Sequence, residues 1–273
     1  MMTTVLVWAS AAVLLGPRAG QGGGDSAVTV RPVRFFSQGT GSTVIEGTSE
    51  IRLIGLAAAS APTTRYRVEI AIADSSGLEL ARNDWTRELP TDAARAAGAT
   101  AMESFRFAAA PGRYRIVVRA STDGGAVLER VMEVGAFTAR PLVSDLLLAT
   151  AAREAADSGS QAPGEIRRGR WVLRTAPVPH LTFAEAALTY YTEIYPWPGF
   201  AGGQALLSLE VVTGAGRSLV RAAPQQLRVG ATGGVARGTM DLAGFRPPVC
   251  NELLDRRGDV LDYICPIDGV RVW

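Results

Sequence analysis

The chain has 273 residues, of which 47% are hydrophobic and 20% are charged. This apolar fraction excludes intrinsic disorder over most of the length and suffices for one large or two small folded domains. The 28 basic and 26 acidic residues leave a net charge of +2, which excludes a strongly basic nucleic-acid-binding protein. Every basic residue is an arginine, so chemistry that requires a lysine, such as Schiff-base formation, is excluded as well.

The amino-terminal segment predicts the cellular compartment. Its uncharged run from Val5 to Gly16 is too short for a membrane-spanning helix, which needs about 20 residues, but has the length of a signal-peptide core. Gly20-Gln21-Gly22 then offers a small-residue cleavage site. We therefore expect residues 1–22 to be a signal peptide, the only part that meets a membrane, and the mature protein to be periplasmic or extracellular. Because no arginine precedes the run, a buried strand or helix is the alternative.

From residue 27 onward, apolar and polar side chains alternate, as is typical of half-buried β-strands. The alternation is clearest in residues 66–72 and 114–118, and turn residues such as Asp123-Gly124-Gly125 separate the strands. Short strands at this spacing predict an all-β protein made of sandwich domains.

One turn is especially informative. Pro111 and Gly112 form a corner, and Tyr114 opens the strand that follows. This order resembles the tyrosine corner of immunoglobulin-like sandwiches, in which the hydroxyl bonds back to the backbone of the corner. The alternative is an ordinary turn followed by a core tyrosine.

A faint internal repeat predicts two domains in tandem. Val68-Glu69-Ile70 is echoed by Leu209-Glu210-Val211, and Phe105-Arg106-Phe107 by Met240-Asp241-Leu242. We expect immunoglobulin-like β-sandwiches at 27–138 and 139–273, with a mobile polar loop at 153–170 inside the second.

The carboxyl-terminal segment 249–273 departs from the repeat. It shows no alternation of period two, so we expect an irregular tail that packs poorly and makes the second domain the less stable one. An altered reading frame or a native but atypical ending would each explain it. Cys250 and Cys265, the only cysteines, lie in this tail, and an oxidising compartment would allow a disulfide between them, although the sequence leaves their pairing open.

Several segments together resemble a family of secreted bacterial proteins. The run Val33-Arg34-Phe35-Phe36, the strand 66–72, residues 105–114 and the segment Val143-Ser144-Asp145-Leu146 look like the β-sandwich region of GWxTD-domain-containing proteins. The Gly-Trp pair that names the family does not occur here. The resemblance therefore implies export and tandem immunoglobulin-like domains without the GWxTD module, and it implies no activity.

An aromatic cluster is the strongest candidate for a binding site. Tyr191, Tyr195, Trp197 and Phe200 surround two prolines and would form a platform for a sugar or a peptide, or else pack in the sandwich core. His180 is the single histidine, so catalytic triads and histidine-rich metal sites lack partners. We predict no catalytic residue, no metal and no cofactor.

The rival interpretation is an enzyme, because a glycosidase needs only two carboxylate side chains for catalysis. No spacing singles out a pair among the available acidic side chains, namely Asp74, Asp84, Glu88, Glu185 and Glu193. We therefore expect an exported binding or scaffolding protein whose partner is a protein or glycan of the bacterial cell envelope. The alternatives are a polysaccharide hydrolase with paired carboxylates and a pair of accessory domains for a separate GWxTD protein.

Overall fold

The computed structural model describes residues 27–57, 60–155, 162–175, 187–212 and 218–241, together with the backbone of four short strands nearer the two termini. The prediction of an all-β protein is confirmed, because antiparallel strands make up nearly all of the secondary structure. No helix in the described part is long and apolar enough to cross a membrane.

The chain divides into two compact units. The first comprises Gly23–Arg140 and Arg153–Val178, and the second comprises Met1–Gly22, Pro141–Ala152 and Pro179–Trp273. The main division lies close to the boundary expected at 138/139, but residues 153–178 group with the first unit. Whether the units are two immunoglobulin-like domains stays a prediction.

Two antiparallel sheets form the body of the first unit. In one, the order is β2-β3-β6; in the other, it is β5-β4-β7-β8. The strands are β2 (Val28–Ser37), β3 (Ser42–Arg52), β4 (Thr63–Asp74), β5 (Glu79–Pro90), β6 (Thr100–Ala109), β7 (Arg113–Ser121) and β8 (Val127–Gly135). This order matches that of strands A, B, E and C′, C, F, G in immunoglobulin-like sandwiches.

The alternating side chains face one another between these sheets. Val68, Ile116 and Val118 of the four-stranded sheet are fully buried against Ile45 and Ile51 of the three-stranded sheet. A 3₁₀ turn (Leu53–Gly55) and a single helical turn, α1 (Thr91–Arg95), lie at one end of this core. Burial of these side chains supplies the main stabilisation of the unit.

The corner at Pro111 and Gly112 is the point at which the chain passes from β6 in one sheet to β7 in the other. The Tyr114 hydroxyl donates a hydrogen bond of 2.8 Å to the carbonyl of Ala110, as in a tyrosine corner. The Tyr114 ring packs edge-on against Phe107, with ring centroids 5.8 Å apart. The bond and the ring contact both hold the crossover in place.

A short hairpin covers the outer face of the three-stranded sheet. Its strands β11 (Glu165–Arg168) and β12 (Trp171–Arg174) form a small sheet with β10 (Ala151–Glu154), in the order β10-β12-β11. We call residues 162–175 the strap. We predicted a mobile loop of the second domain at 153–170; the part of that range that falls in the strap, residues 162–170, lies on the first unit.

Polar contacts attach the strap to the sheet beneath it. The Gly164 N–H donates to the Ser104 hydroxyl at 3.1 Å, and the Thr175 hydroxyl bonds to that of Thr48 at 3.1 Å. Outward-facing residues of the sheet are consequently buried, among them Phe35. The first unit therefore has a third layer that the alternation pattern does not show.

The second unit contains a three-stranded sheet in the order β18-β13-β9, a pair β14-β17, a four-stranded sheet β1-β21-β15-β16, and a hairpin β19-β20. The strands are β1 (Ala11–Val13), β9 (Leu147–Ala149), β13 (Ala187–Ile194), β14 (Gly203–Leu207), β15 (Leu209–Val212), β16 (Ser218–Arg221), β17 (Gln225–Val229), β18 (Gly234–Asp241), β19 (Asn251–Leu254), β20 (Val260–Ile264) and β21 (Gly269–Val272).

The internal repeat has a counterpart in this topology. Residues 68–70 lie in β4 and residues 209–211 in β15, each within the four-stranded sheet of its unit. Residues 105–107 lie in β6, and residues 240–241 end β18, each in a three-stranded sheet. The sequence echo therefore falls on an inner strand of each four-stranded sheet and on an edge strand of each three-stranded sheet, and the tandem repeat stays a prediction.

The two ends of the chain meet in the second unit. The tail 249–273, which we expected to lack regular strands, contains three; β21 pairs with β15 on one side and with β1 on the other. These strands have only four or five residues, and a register shift interrupts the pairing of β19 with β20. An alternation of apolar and polar residues cannot be recognised over such short strands. Strand β1 falls inside the predicted signal-peptide core, as the alternative interpretation of that run requires.

Candidate functional site

An apolar pocket lies in the second unit, where β13 ends. The strand ends at Ile194 and Pro196 and Pro198 follow it, so the ladder does not continue. A turn closes there when the Phe200 N–H donates to the Trp197 carbonyl at 3.1 Å. Gly199 has a φ of 84°, a conformation that favours glycine, so this turn depends on it. The turn places two aromatic rings above strands β14 and β17.

The Trp197 and Phe200 rings form the rim of this pocket. Their centroids are 4.6 Å apart, and the ring planes are inclined at 59°. Trp197 remains 38% exposed, so part of its indole ring is open to solvent. We call the site the aromatic pocket; it encloses about 60 Å³. Its lining consists of Leu142, Val143, Thr192, Ile194, Tyr195, Pro196, Trp197, Phe200, Gln204, Ala205, Leu206, Leu207, Leu227 and Val229.

The segment before β9 fixes the floor of the aromatic pocket. The Tyr195 N–H donates to the Leu142 carbonyl at 2.8 Å, and Val143 forms a β-bridge with Ile194. Ser144 accepts a hydrogen bond of 2.9 Å from the Glu193 N–H through its hydroxyl. The segment that carries the family resemblance therefore also positions the pocket.

Three of the four predicted platform residues line the aromatic pocket, and Tyr191 does not. Tyr191 and Tyr195 are both buried, and their hydroxyls donate to the two oxygens of Glu193 at 3.1 and 2.8 Å. Both oxygens of this carboxylate thus accept phenol hydrogen bonds. Neighbouring Tyr190 is also a core residue, and its pKa is raised by burial.

A second pocket, of about 370 Å³, lies in the first unit beside the strap. We call it the strap pocket. It opens between the edge strands β5 and β6, and its lining consists of Glu46, Trp85, Arg87, Glu103, Ser104, Phe105, Arg106, Ala162, Pro163, Ile166 and Arg167. Unlike the aromatic pocket, it is rich in charge.

Each carboxylate of the strap pocket is held by guanidinium groups. Glu103 accepts two hydrogen bonds from Arg87, both 3.0 Å long. Glu46 lies 2.9 Å from Arg168 and 3.3 Å from Arg106. Such charge-assisted contacts are among the strongest in proteins.

The two carboxylates lie on opposite faces of their sheet. Glu46 pairs with Arg106 and therefore shares its face, whereas Glu103 is three residues away along β6 and points to the other face. Tyr66 also lies on that inner side, and burial raises its pKa. The negative charge of Glu103 raises this pKa further, and the positive charge of Arg87 lowers it. The pair is not arranged to act on one glycosidic bond from both sides.

The other carboxylates considered for hydrolysis have separate structural contacts. The Asp74 carboxylate accepts hydrogen bonds from the Ser76 hydroxyl and backbone N–H in a turn; the hydroxyl bond is the main cause of its lowered pKa. Asp84 forms an ion pair with Arg67 on the exposed sheet face. Glu185, His180, Cys250 and Cys265 lie outside the described residues.

Sequence reasoning missed the strap pocket, although one signal was present. Glu103 lies on the core-facing side of β6, together with the apolar residues Ala101 and Phe105 two positions before and after it. A charged residue at an inward position predicts a buried partner. The described part of the chain holds no group of three His, Cys, Asp or Glu side chains that could bind a metal ion.

No protein-family model and no curated protein match the chain. Among solved structures, a protein from Bacteroides fragilis described as a β-galactosidase is similar with a TM-score of 0.29 and 16% identity. The similarity covers 40% of this chain and 16% of that one, so the chain spans only a small part of that protein's length.

Proposed function

We propose that this protein is an exported binding protein of the bacterial cell envelope and that its aromatic pocket receives an apolar side chain of a protein partner. One observation carries the proposal: Trp197, 38% exposed, stands at the rim of a cavity whose described lining contains no charged side chain. Exposed aromatic residues around an apolar hollow are typical of the centres of protein interfaces.

The size of the aromatic pocket favours a side chain over a sugar ring. Its 60 Å³ is well below the roughly 150 Å³ of an apolar cavity that binds benzene. A pyranose ring is larger than benzene and carries hydroxyls that need polar partners. Of the lining side chains, Thr192 bonds to Ser144 and Tyr195 to Glu193, so few partners remain for sugar hydroxyls.

A titration with a small apolar probe tests the proposal. N-acetyl-leucinamide is added to the ¹⁵N-labelled protein while the indole N–H signal of Trp197 is followed. We expect a saturable shift that N-acetyl-glycinamide and glucose do not produce. Phe200→Ala should remove the shift, and Leu78→Ala, an exposed apolar control in the first unit, should retain it.

Other outcomes would overturn the assignment. A larger shift with glucose than with the leucine probe would favour a carbohydrate platform. Equal shifts in the Phe200→Ala variant would mean that the probe binds elsewhere. A separate protein with a GWxTD module is one candidate for the partner that binds at the aromatic pocket. If the protein instead released reducing sugar from envelope polysaccharide, the hydrolase alternative would be favoured.

A further inference from the structure

The strap pocket has features of a ligand site that are independent of the aromatic pocket. Its volume of about 370 Å³ falls within the range of small-molecule sites, roughly 300–1,000 Å³. All of its lining residues belong to the first unit. Binding here and binding at the aromatic pocket can therefore be tested separately.

The charges around the strap pocket leave a surplus of guanidinium. Arg87 is engaged by Glu103, and Arg106 shares Glu46 with Arg168. Half-buried Arg167 also lines the pocket and forms no ion pair with any described residue. A partly desolvated guanidinium favours an anionic group, and a carboxylate matches its planar donors in a bidentate arrangement.

The remaining lining suits a hydroxylated ring. Trp85 and Phe105 supply aromatic surface, and Pro163 and Ile166 add an apolar wall from the strap. The carboxylate of Glu103, which points to the same side of the sheet as Trp85, has lone pairs beyond those used by Arg87 and accepts further hydrogen bonds. A ring with apolar C–H faces, hydroxyl groups and one carboxylate complements this combination.

We propose that the strap pocket binds a uronic acid residue, with its carboxylate on Arg167 and its ring against Trp85. The sugar hydroxyls then donate to acceptors on the β6 side of the pocket. The ligand would be an acidic saccharide, the chemistry of many envelope polysaccharides, and the site adds glycan recognition to the proposed protein-binding surface.

The test is a titration of the full chain with D-glucuronate, followed through the indole N–H signal of Trp85. We expect saturable binding in wild type that weakens at least about tenfold in Arg167→Met, because a charged hydrogen bond is lost. Arg167→Lys, which keeps the charge but not the planar fork, should bind with intermediate strength. Arg170→Met is the matched control in the same hairpin, since Arg170 lies over Trp171 and does not line the pocket.

Further probes separate the alternatives. D-glucose should bind at least about tenfold more weakly than glucuronate, because it lacks the anionic group. Equal affinity for acetate or inorganic phosphate would indicate a bare anion site and overturn the saccharide assignment, and tighter binding of N-acetyl-aspartate amide would indicate an acidic peptide. Absence of glucuronate binding, or equal binding by Arg167→Met, would also overturn it.

Discussion

The hydroxyl of Tyr114 donates a hydrogen bond to the carbonyl of Ala110 across the corner where the chain leaves one sheet of the first unit for the other. The partners are four positions apart in the sequence, and the bond joins the last residue before the turn to the second residue of the next strand. It closes the connection between β6 and β7 and places the following inward residues in register with β4.

Replacement of this tyrosine tests how much the corner contributes. We expect Tyr114→Phe to lower the free energy of unfolding by about 1 kcal/mol, since one intramolecular hydrogen bond is lost. Urea unfolding of the first unit measures the change. Tyr66→Phe is the control, because buried Tyr66 makes no hydrogen bond through its hydroxyl to another described residue; equal effects of both variants would contradict the corner's role.

The ion pair between Arg168 and Glu46 is the second feature open to test. Its side chains are only 13% and 4% exposed, and the guanidinium lies 4.0 Å above the Phe35 ring. Removal of one partner from a buried pair is strongly destabilising, so we expect Arg168→Met to cost about 3 kcal/mol in urea unfolding.

The same carboxylate provides an internal control. Arg106 also contacts Glu46, but its side chain is 65% exposed. We therefore expect Arg106→Met to cost less than about 1 kcal/mol. If the two arginine variants unfold at the same urea concentration, the strap is not anchored by the buried pair.

The local structure of the strap should depend on pH through Glu165. Burial acts to raise the pKa of this carboxyl, but the Ala162 N–H and the Arg153 guanidinium donate to it and hold its pKa below the ordinary value. Since the folded pKa is depressed, the contribution is complete above the unfolded value of about 4.3 and is lost as the pH falls through the lower folded value.

The chemical shift of the Ala162 amide proton reports this titration directly. We expect a midpoint below about 4.3 in the wild type and no transition in Glu165→Gln. Glu88→Gln, which alters an exposed ion pair with Arg65, should leave the midpoint unchanged. A wild-type midpoint at or above the ordinary value would show that the hydrogen bonds do not stabilise the charged form.

Export requires that strand β1 be absent from the mature protein. Cleavage after Gly22 would remove Ala11–Val13 and leave the outer edge of β21 unpaired. We expect amino-terminal sequencing of the protein from its native cell to start between residues 20 and 27. Intact Met1 in soluble cytoplasmic protein would instead favour the paired strand.

The first sandwich could be predicted from sequence because its strands are half-buried. In β4 and β7, one face meets the core and the other meets solvent, so Val68 and Val118 alternate with arginines. Strand β3 gave no such signal. Its outward residues Glu46 and Thr48 are buried as deeply as its inward ones, because the strap covers them.

The strap itself was misplaced for a related reason. Its charged residues Glu165 and Arg168 are typical of an exposed loop, but both are satisfied by partners that the local sequence does not reveal. Arg168 and Glu46 are 122 residues apart. The aromatic pocket was easier to predict, because Tyr195, Trp197 and Phe200 are neighbours along the chain and meet through a single turn.

Site-specific photo-crosslinking tests the central claim most directly. A photoreactive phenylalanine analogue replaces Phe200 at the rim of the aromatic pocket or, as a control, exposed Leu78 in the first unit, and the protein is irradiated in its native cell. We expect the analogue at position 200 to crosslink to one discrete envelope protein and the analogue at position 78 to give no such product. The Trp197→Ala substitution should abolish the crosslink from position 200. Crosslinks of equal yield from both positions, or none from position 200, would contradict a binding function for the aromatic pocket.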